Sequence, residues 1–165
     1  MSRRRSPILV LVLAALLLPA GAAHAGPKSL LWATVNVCDT SSAPDTIGIR
    51  GSMPGSGAKR ERMYMRFQVE FLDPADGTWK RIGRSGDSGW IKVGSGRYRA
   101  RQSGRNFLVR PPSAGSFRLR GLVTFEWRRK RTVVRRATRR TTGGHPDTQG
   151  ADPATHSAAT CEVRA

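Results

Sequence analysis

Residues 116–142, SFRLRGLVTFEWRRKRTVVRRATRRTT, decide how this chain is read. Phe117, Leu119, Gly121, Val123, Phe125 and Trp127 alternate with Arg118, Arg120, Leu122, Thr124, Glu126 and Arg128, the two-residue period of a strand with one face in a core. Arg128 to Arg131 then makes a basic tip. Thr132 to Thr142 returns as the second strand of a hairpin, ended by Gly143-Gly144. Which way the return strand faces is left open by the pattern, because Arg135-Arg136 and Arg139-Arg140 come in pairs. The stretch holds ten lysines and arginines against one acid, Glu126.

Upstream, Arg62 to Leu72 carries the clearest alternation, with Met63, Met65, Phe67, Val69 and Phe71 opposite Tyr64, Arg66, Gln68 and Glu70. The turn Asp73-Pro74-Ala75-Asp76-Gly77 returns it into Thr78 to Ile82. Earlier still, Leu30 to Val37 reads as a first strand ending at Cys38, Asp39 to Asp45 as a turn, and Thr46 to Met53 as a second strand with Ile47 and Ile49 on one face. Gly51 to Gly57 is expected as a flexible connection, since it lacks the Lys-Ser/Thr or helix opening that a phosphate-cradling loop needs. Trp90 to Val93 and Arg97 to Arg101 are expected strands about Gly94-Ser95-Gly96, and Phe107 to Val109 is a short apolar piece. Pro111 to Gly115 is a rigid corner, His145 to Ser157 a mobile loop without large apolar residues, and Thr160 to Val163 a last strand. No segment has helical periodicity of useful length.

These elements predict an all-β fold, a single antiparallel sandwich of about seven to nine short strands. The proline corner Pro111-Pro112, the Phe117-x-Leu119-x-Gly121-x-Val123 alternation and the hairpin after it resemble the late strands of immunoglobulin-like and fibronectin-type-III-like domains. Phe117 stands where those domains carry a corner tyrosine, and the cysteines sit near the two ends of the chain. The resemblance implies an architecture that hosts adhesion, carbohydrate-binding, chaperone and spacing roles alike.

The first 25 residues read as a secretory signal peptide. Arg3, Arg4 and Arg5 precede an apolar run from Ile8 to Leu18, too short for the roughly 20 residues of a membrane span, and Ala23-His24-Ala25 is a small-x-small cleavage site. Residues 26–165 are then one domain with a flexible loop at 143–158, secreted or periplasmic and without a span after cleavage. Cys38 and Cys161, an isolated pair in an exported chain, are expected to form a disulfide.

The formal charge is +18 for the whole chain, and after loss of the leader 26 basic residues face 11 acidic ones. Such an excess attracts polyanions. The candidate binding residues are Arg97, Arg99 and Arg101, then Arg118 and Arg120, then Arg128, Arg129, Lys130 and Arg131, and finally Arg135, Arg136, Arg139 and Arg140. Tyr98, Trp79 and Trp127 lie among them, and arginines beside aromatics suit phosphate contact and stacking. Two accounts of the charge stay open: a solvated surface that follows the arginine-rich, Ala/Gly/Pro-rich composition of a GC-rich genome, or a real polyanion-binding face. The expected partners are an anionic polymer, whether cell-wall polymer or nucleic acid, or another envelope protein.

Catalytic and metal chemistry is not expected, and no cofactor is called for. Gly86-Asp87-Ser88-Gly89 matches part of the motif around a trypsin-like nucleophile, but His145 and His156 follow the serine and the chain is too short for two barrels. His145, Asp147, Asp152 and His156 lie in a Gly/Pro/Thr-rich loop without the close ligand pairs of a zinc site. Glu61, Glu70, Glu126 and Glu162 are scattered among basic neighbours and read as their surface partners. The reading is therefore a non-enzymatic secreted binding or structural module with a cationic surface. The alternative is a secreted hydrolase or toxin-like effector using the His145/His156 loop.

Overall fold

The two most regular alternations in the chain pair with each other. In the computed structural model, which describes residues 29–111 and 113–165, β3 (Glu61–Leu72) and β7 (Ser116–Arg129) run antiparallel from Glu61 opposite Arg129 to Phe71 opposite Leu119. The expected leader, residues 1–25, and Pro112 of the expected corner lie outside the described residues. β3 takes β4 (Trp79–Arg81) and β5 (Asp87–Ser95) along its other edge, and β7 takes β8 (Thr132–Arg140) and, after Cys161, the last strand (Cys161–Arg164). The second sheet has three strands, β1 (Trp32–Thr40), β2 (Ala43–Pro54) and β6 (Ala100–Leu108), in the order β1-β2-β6. With the last strand numbered β9, nine strands lie in two antiparallel sheets, and a single 3-10 turn (Arg84–Gly86) is the one helical piece among the described residues. That turn is far too short to cross a membrane.

The sheets meet face to face as a β-sandwich. Ala33, Val35, Ile47, Ile49 and Met53 of one sheet and Met63, Met65, Phe67, Val69, Leu119, Val123, Phe125 and Trp127 of the other form one buried cluster. Each large side chain so buried stabilises the fold by about 1.5–3 kcal/mol. The fit is close at two glycines: a Cβ on Gly121 would stand 2.8 Å from Ile49, and one on Gly51 would stand 3.2 Å from the Phe125 ring. Trp127, fully buried, donates its indole N–H to the Pro54 carbonyl at 2.9 Å and so ties the end of β7 to the end of β2.

After β8 the chain crosses to the three-stranded sheet and lies along the free edge of β1. Thr142 N–H donates to the Ala33 carbonyl at 2.9 Å, Val35 and Ala158 exchange bonds of 2.9 and 3.0 Å, and Asp152 N–H donates to Asn36 O at 2.8 Å. These bonds satisfy an edge that would otherwise present unpaired groups. The Cys38–Cys161 disulfide then joins β1 to β9, one sheet to the other, with Cα atoms 5.3 Å apart and 123 residues of separation. Closing so long a loop removes roughly 4–5 kcal/mol of unfolded-state freedom.

Three expectations are corrected. Arg97 to Arg101 is not a strand: Arg97 to Arg99 form a turn and β6 begins at Ala100. The backbone there bonds to the Gly55–Glu61 segment, Gly57 N–H to Gly96 O and Gly96 N–H to Glu61 O, both at 2.9 Å, and a Cβ on Gly96 would collide with Ser56. Second, β2 continues through Pro54, because Met53 is fully buried in the core and Gly51 leaves room for Phe125, so the loop starts only at Gly55. Third, the glutamates Glu61, Glu70 and Glu126 pair with arginines as expected but are buried, at 7, 8 and 1% exposure.

Candidate anion-binding groove

On the outer face of the larger sheet the strand register sets acids and arginines opposite one another. Arg120 Nε donates to Glu70 Oε2 at 2.7 Å and its guanidinium lies 4.1 Å from the Trp79 ring. Arg128 Nε donates to Glu126 Oε2 at 2.6 Å and stacks on Tyr64 and Trp90 at 4.3 and 4.6 Å. Arg136 pairs with the other oxygen of Glu126, and Arg129 with Glu61 at 2.9 Å. These four of the thirteen candidate arginines and lysines are therefore neutralised by neighbouring carboxylates.

The facing of β8 follows from a bulge between Trp127 and Arg128. Arg136, Thr138 and Arg140 stand beside Glu126, Thr124 and Leu122 on the outer face, while Arg135, opposite Trp127, lies 4.0 Å over the indole. Arg139 donates to the Thr138 carbonyl, Arg118 lies opposite Glu162, and Lys130 and Arg131 form the exposed tip. Arg99 is exposed in the turn before β6.

Arg97 and Arg101 are in a different setting. The turn they flank brings Tyr98 between them, with Arg97 at 4.8 Å and Arg101 at 3.8 Å from the ring centroid, and Arg97 Nη2 donates to the phenol oxygen at 2.8 Å. That hydrogen bond, helped by the charge of Arg97, holds the phenol below its usual range. Gly94 makes space for the stack, since a Cβ there would lie 3.3 Å from Arg101 Nε. Lys92 from β5, Arg62 from the start of β3 and Lys59 from the preceding loop complete a groove of about 470 Å³ with Ser95 on its wall. The Lys59 carbonyl accepts from Arg62 Nη1 at 3.1 Å and from Ser95 Oγ at 3.0 Å, which fixes the loop against the sheet.

Five cations thus line one groove, and among the described residues no carboxylate lines it. No protein-family model matches the chain, and no curated protein matches it. The groove can offer several charge-assisted donors and an aromatic edge to an anion, and the repulsion among its cations falls when one binds. Lys59 and Arg62 belong to the short run Lys59-Arg60-Glu61-Arg62 and Lys92 stands alone in β5, so nothing in the sequence marks the three as neighbours of Arg97 and Arg101.

Most of the remaining candidates for chemistry have structural partners; the exception is His156, whose Nε2 is buried without one among the described residues. Asp87 is paired with Arg66, whose hydrogen bonds hold the carboxyl below its usual range, and it also accepts from Gln68 at 2.9 Å. Ser88 Oγ accepts the Phe67 N–H at 2.9 Å and donates to the Gly89 carbonyl at 2.7 Å. His145 stacks on Trp32 with centroids 4.6 Å apart and its Nε2 lies 3.0 Å from Thr142 Oγ1, while burial lowers its pKa. Among the described residues no three His, Cys, Asp or Glu side chains group as metal ligands.

Proposed function

We propose that this chain is an exported, non-enzymatic module of immunoglobulin-like type that binds a polyanion outside the cell through the groove of Lys59, Arg62, Lys92, Arg97 and Arg101. The single observation that carries the reading is the contrast in charge pairing. Elsewhere on the larger sheet Arg120, Arg128, Arg129 and Arg136 sit against carboxylates, whereas five cations converge on this groove with no acid among the described residues on its walls. A linear polymer of phosphates, sulfates or carboxylates supplies the missing charge, and Tyr98 holds the Arg97 and Arg101 guanidinium groups in place to meet it.

The immunoglobulin-like assignment is supported by the strand order. Taking β1, β2 and β6 as strands A, B and E, and β3, β7 and β8 as C, F and G with β4 and β5 on the far edge of C, gives the division between sheets found in such domains. Export is supported by the leader-like first 25 residues and by the disulfide.

Salt dependence tests the binding claim. Affinity for heparin or DNA should fall with rising salt on a log-log slope of about −4 to −5 for five contacts on a duplex. Elution at or below about 0.2 M salt would reduce the interaction to diffuse charge.

A further inference from the structure

A second pocket lies between the three-stranded sheet and the segment that crosses it, lined by Asn36, Arg50, Gly104, Arg105, Asn106 and Gly150. At Asn36 β1 carries one extra residue: Val35 pairs with Ile49 and Val37 with Gly48, leaving Asn36 unpaired in the ladder. Such a bulge re-aims a side chain. Asn36 Nδ2 donates to the Gly150 carbonyl at 2.5 Å, which fixes the amide so that Oδ1 faces the other way. There Oδ1 is buried and, among the described residues, has no hydrogen-bond partner.

Arg50, on the neighbouring strand, is in the same condition. Its Nε is buried without a partner among the described residues, and burial, with no neighbouring carboxylate to offset it, lowers its pKa. Its guanidinium fits because two neighbours are glycines: a Cβ on Gly104 would lie 3.2 Å from Nε, and one on Gly150 would lie 2.5 Å from Nη2. A third glycine, Gly48, keeps the floor open, since the Asn36 and Asn106 amide oxygens stand 2.9 and 2.8 Å from where its Cβ would be. With Arg105 the pocket encloses about 360 Å³. A buried donor and a buried acceptor, each left open, are costly unless something pairs with both.

We infer that this pocket binds a small oxyanion that carries its own hydroxyl, either hydrogen phosphate or a hydroxy-carboxylate. The oxyanion accepts from Arg50, and its O–H donates to Asn36 Oδ1. This site stands apart from the basic groove and does not depend on the polyanion reading. An anion without a hydroxyl would satisfy Arg50 but leave Asn36 Oδ1 unpaired, so the acceptor makes the site selective.

The experiment is a titration of the isotopically labelled protein in high salt, which screens the groove, following the Arg50 Nε–H resonance by NMR. The probes are inorganic phosphate against sulfate, and glycolate against acetate; the first of each pair has the O–H. Saturable shifts of the Arg50 resonance should appear for phosphate or glycolate, about tenfold tighter than for the partner anion, the value of one hydrogen bond left unmade. Which of the two binds more tightly distinguishes a phosphate from a carboxylate ligand. Arg50→Gln should abolish the saturable response while leaving heparin binding intact. An Arg50 resonance unmoved by all four anions means ordered water alone fills the pocket and overturns the inference. Equal affinity for phosphate and sulfate and for glycolate and acetate overturns it too.

Discussion

Glu126, only 1% exposed, is gripped by Arg128, whose Nε donates to it at 2.6 Å while the guanidinium stacks on Tyr64 and Trp90. The other partner, Arg136, is 62% exposed against 22% for Arg128. Removing Arg128 leaves a buried carboxylate with one wet partner, so Arg128→Ala should cost about 2–3 kcal/mol. Arg136→Ala should cost under about 1 kcal/mol, because its guanidinium is largely solvated and Arg128 still pairs the buried carboxylate. Urea unfolding of the two variants checks this; equal losses would mean that burial of the glutamate does not govern the pair.

Stability should fall on acidification in two stages of the same sign. Burial lowers the His145 pKa, so the fold favours the neutral ring and loses stability as pH drops below about 6.5. Hydrogen bonds hold Asp87 low through Arg66, Glu61 through Ser56 and Asp76 through Lys80, the last to about 2. A carboxylate with a depressed folded pKa contributes above its unfolded value, near about 4, and that contribution is lost as pH falls through the folded one. Thermal midpoints from neutral pH down to about 3 should decline throughout; a flat or rising profile would contradict the assignments.

Replacing Cys38 and Cys161 together by serine should cost roughly 2–5 kcal/mol, the usual range for removing a native disulfide from a small domain. Mass analysis of the unreduced protein should find no free thiol. Two free thiols would remove the bond between β1 and β9 from the account.

The alternation of β3 and β7 could be read directly because both are central strands with one face in the core, and Phe67, Val123, Phe125 and Trp127 are buried where the period puts them. β6 hid for the opposite reason. Its sequence ARQSGRNFL borders solvent at a sheet edge, so no alternation is imposed on it, and Gly104 belongs there because Arg50 packs over it. The Gly/Pro run at Gly51 to Pro54 looked like a loop, yet Gly51 is needed to admit Phe125. Charge density was legible, but pairing was not: the run Arg128 to Arg140 drew attention although much of it is neutralised or stacked. The groove assembles cations from three segments: the run Lys59 to Arg62, β5 at Lys92, and the turn into β6 at Arg97 and Arg101. Only the fold brings Lys59, Arg62 and Lys92 to Arg97 and Arg101.

The most direct measurement compares two triple variants of equal charge in binding to heparin across a salt series. Lys92, Arg97 and Arg101 are changed to glutamine in one, and Arg118, Arg139 and Arg140 in the other. If the groove is the binding site, the first variant loses about 3 from the log-log salt slope and at least about a hundredfold in affinity, while the second changes by no more than about threefold. Equal losses in the two variants would contradict a specific groove and assign the binding to net charge.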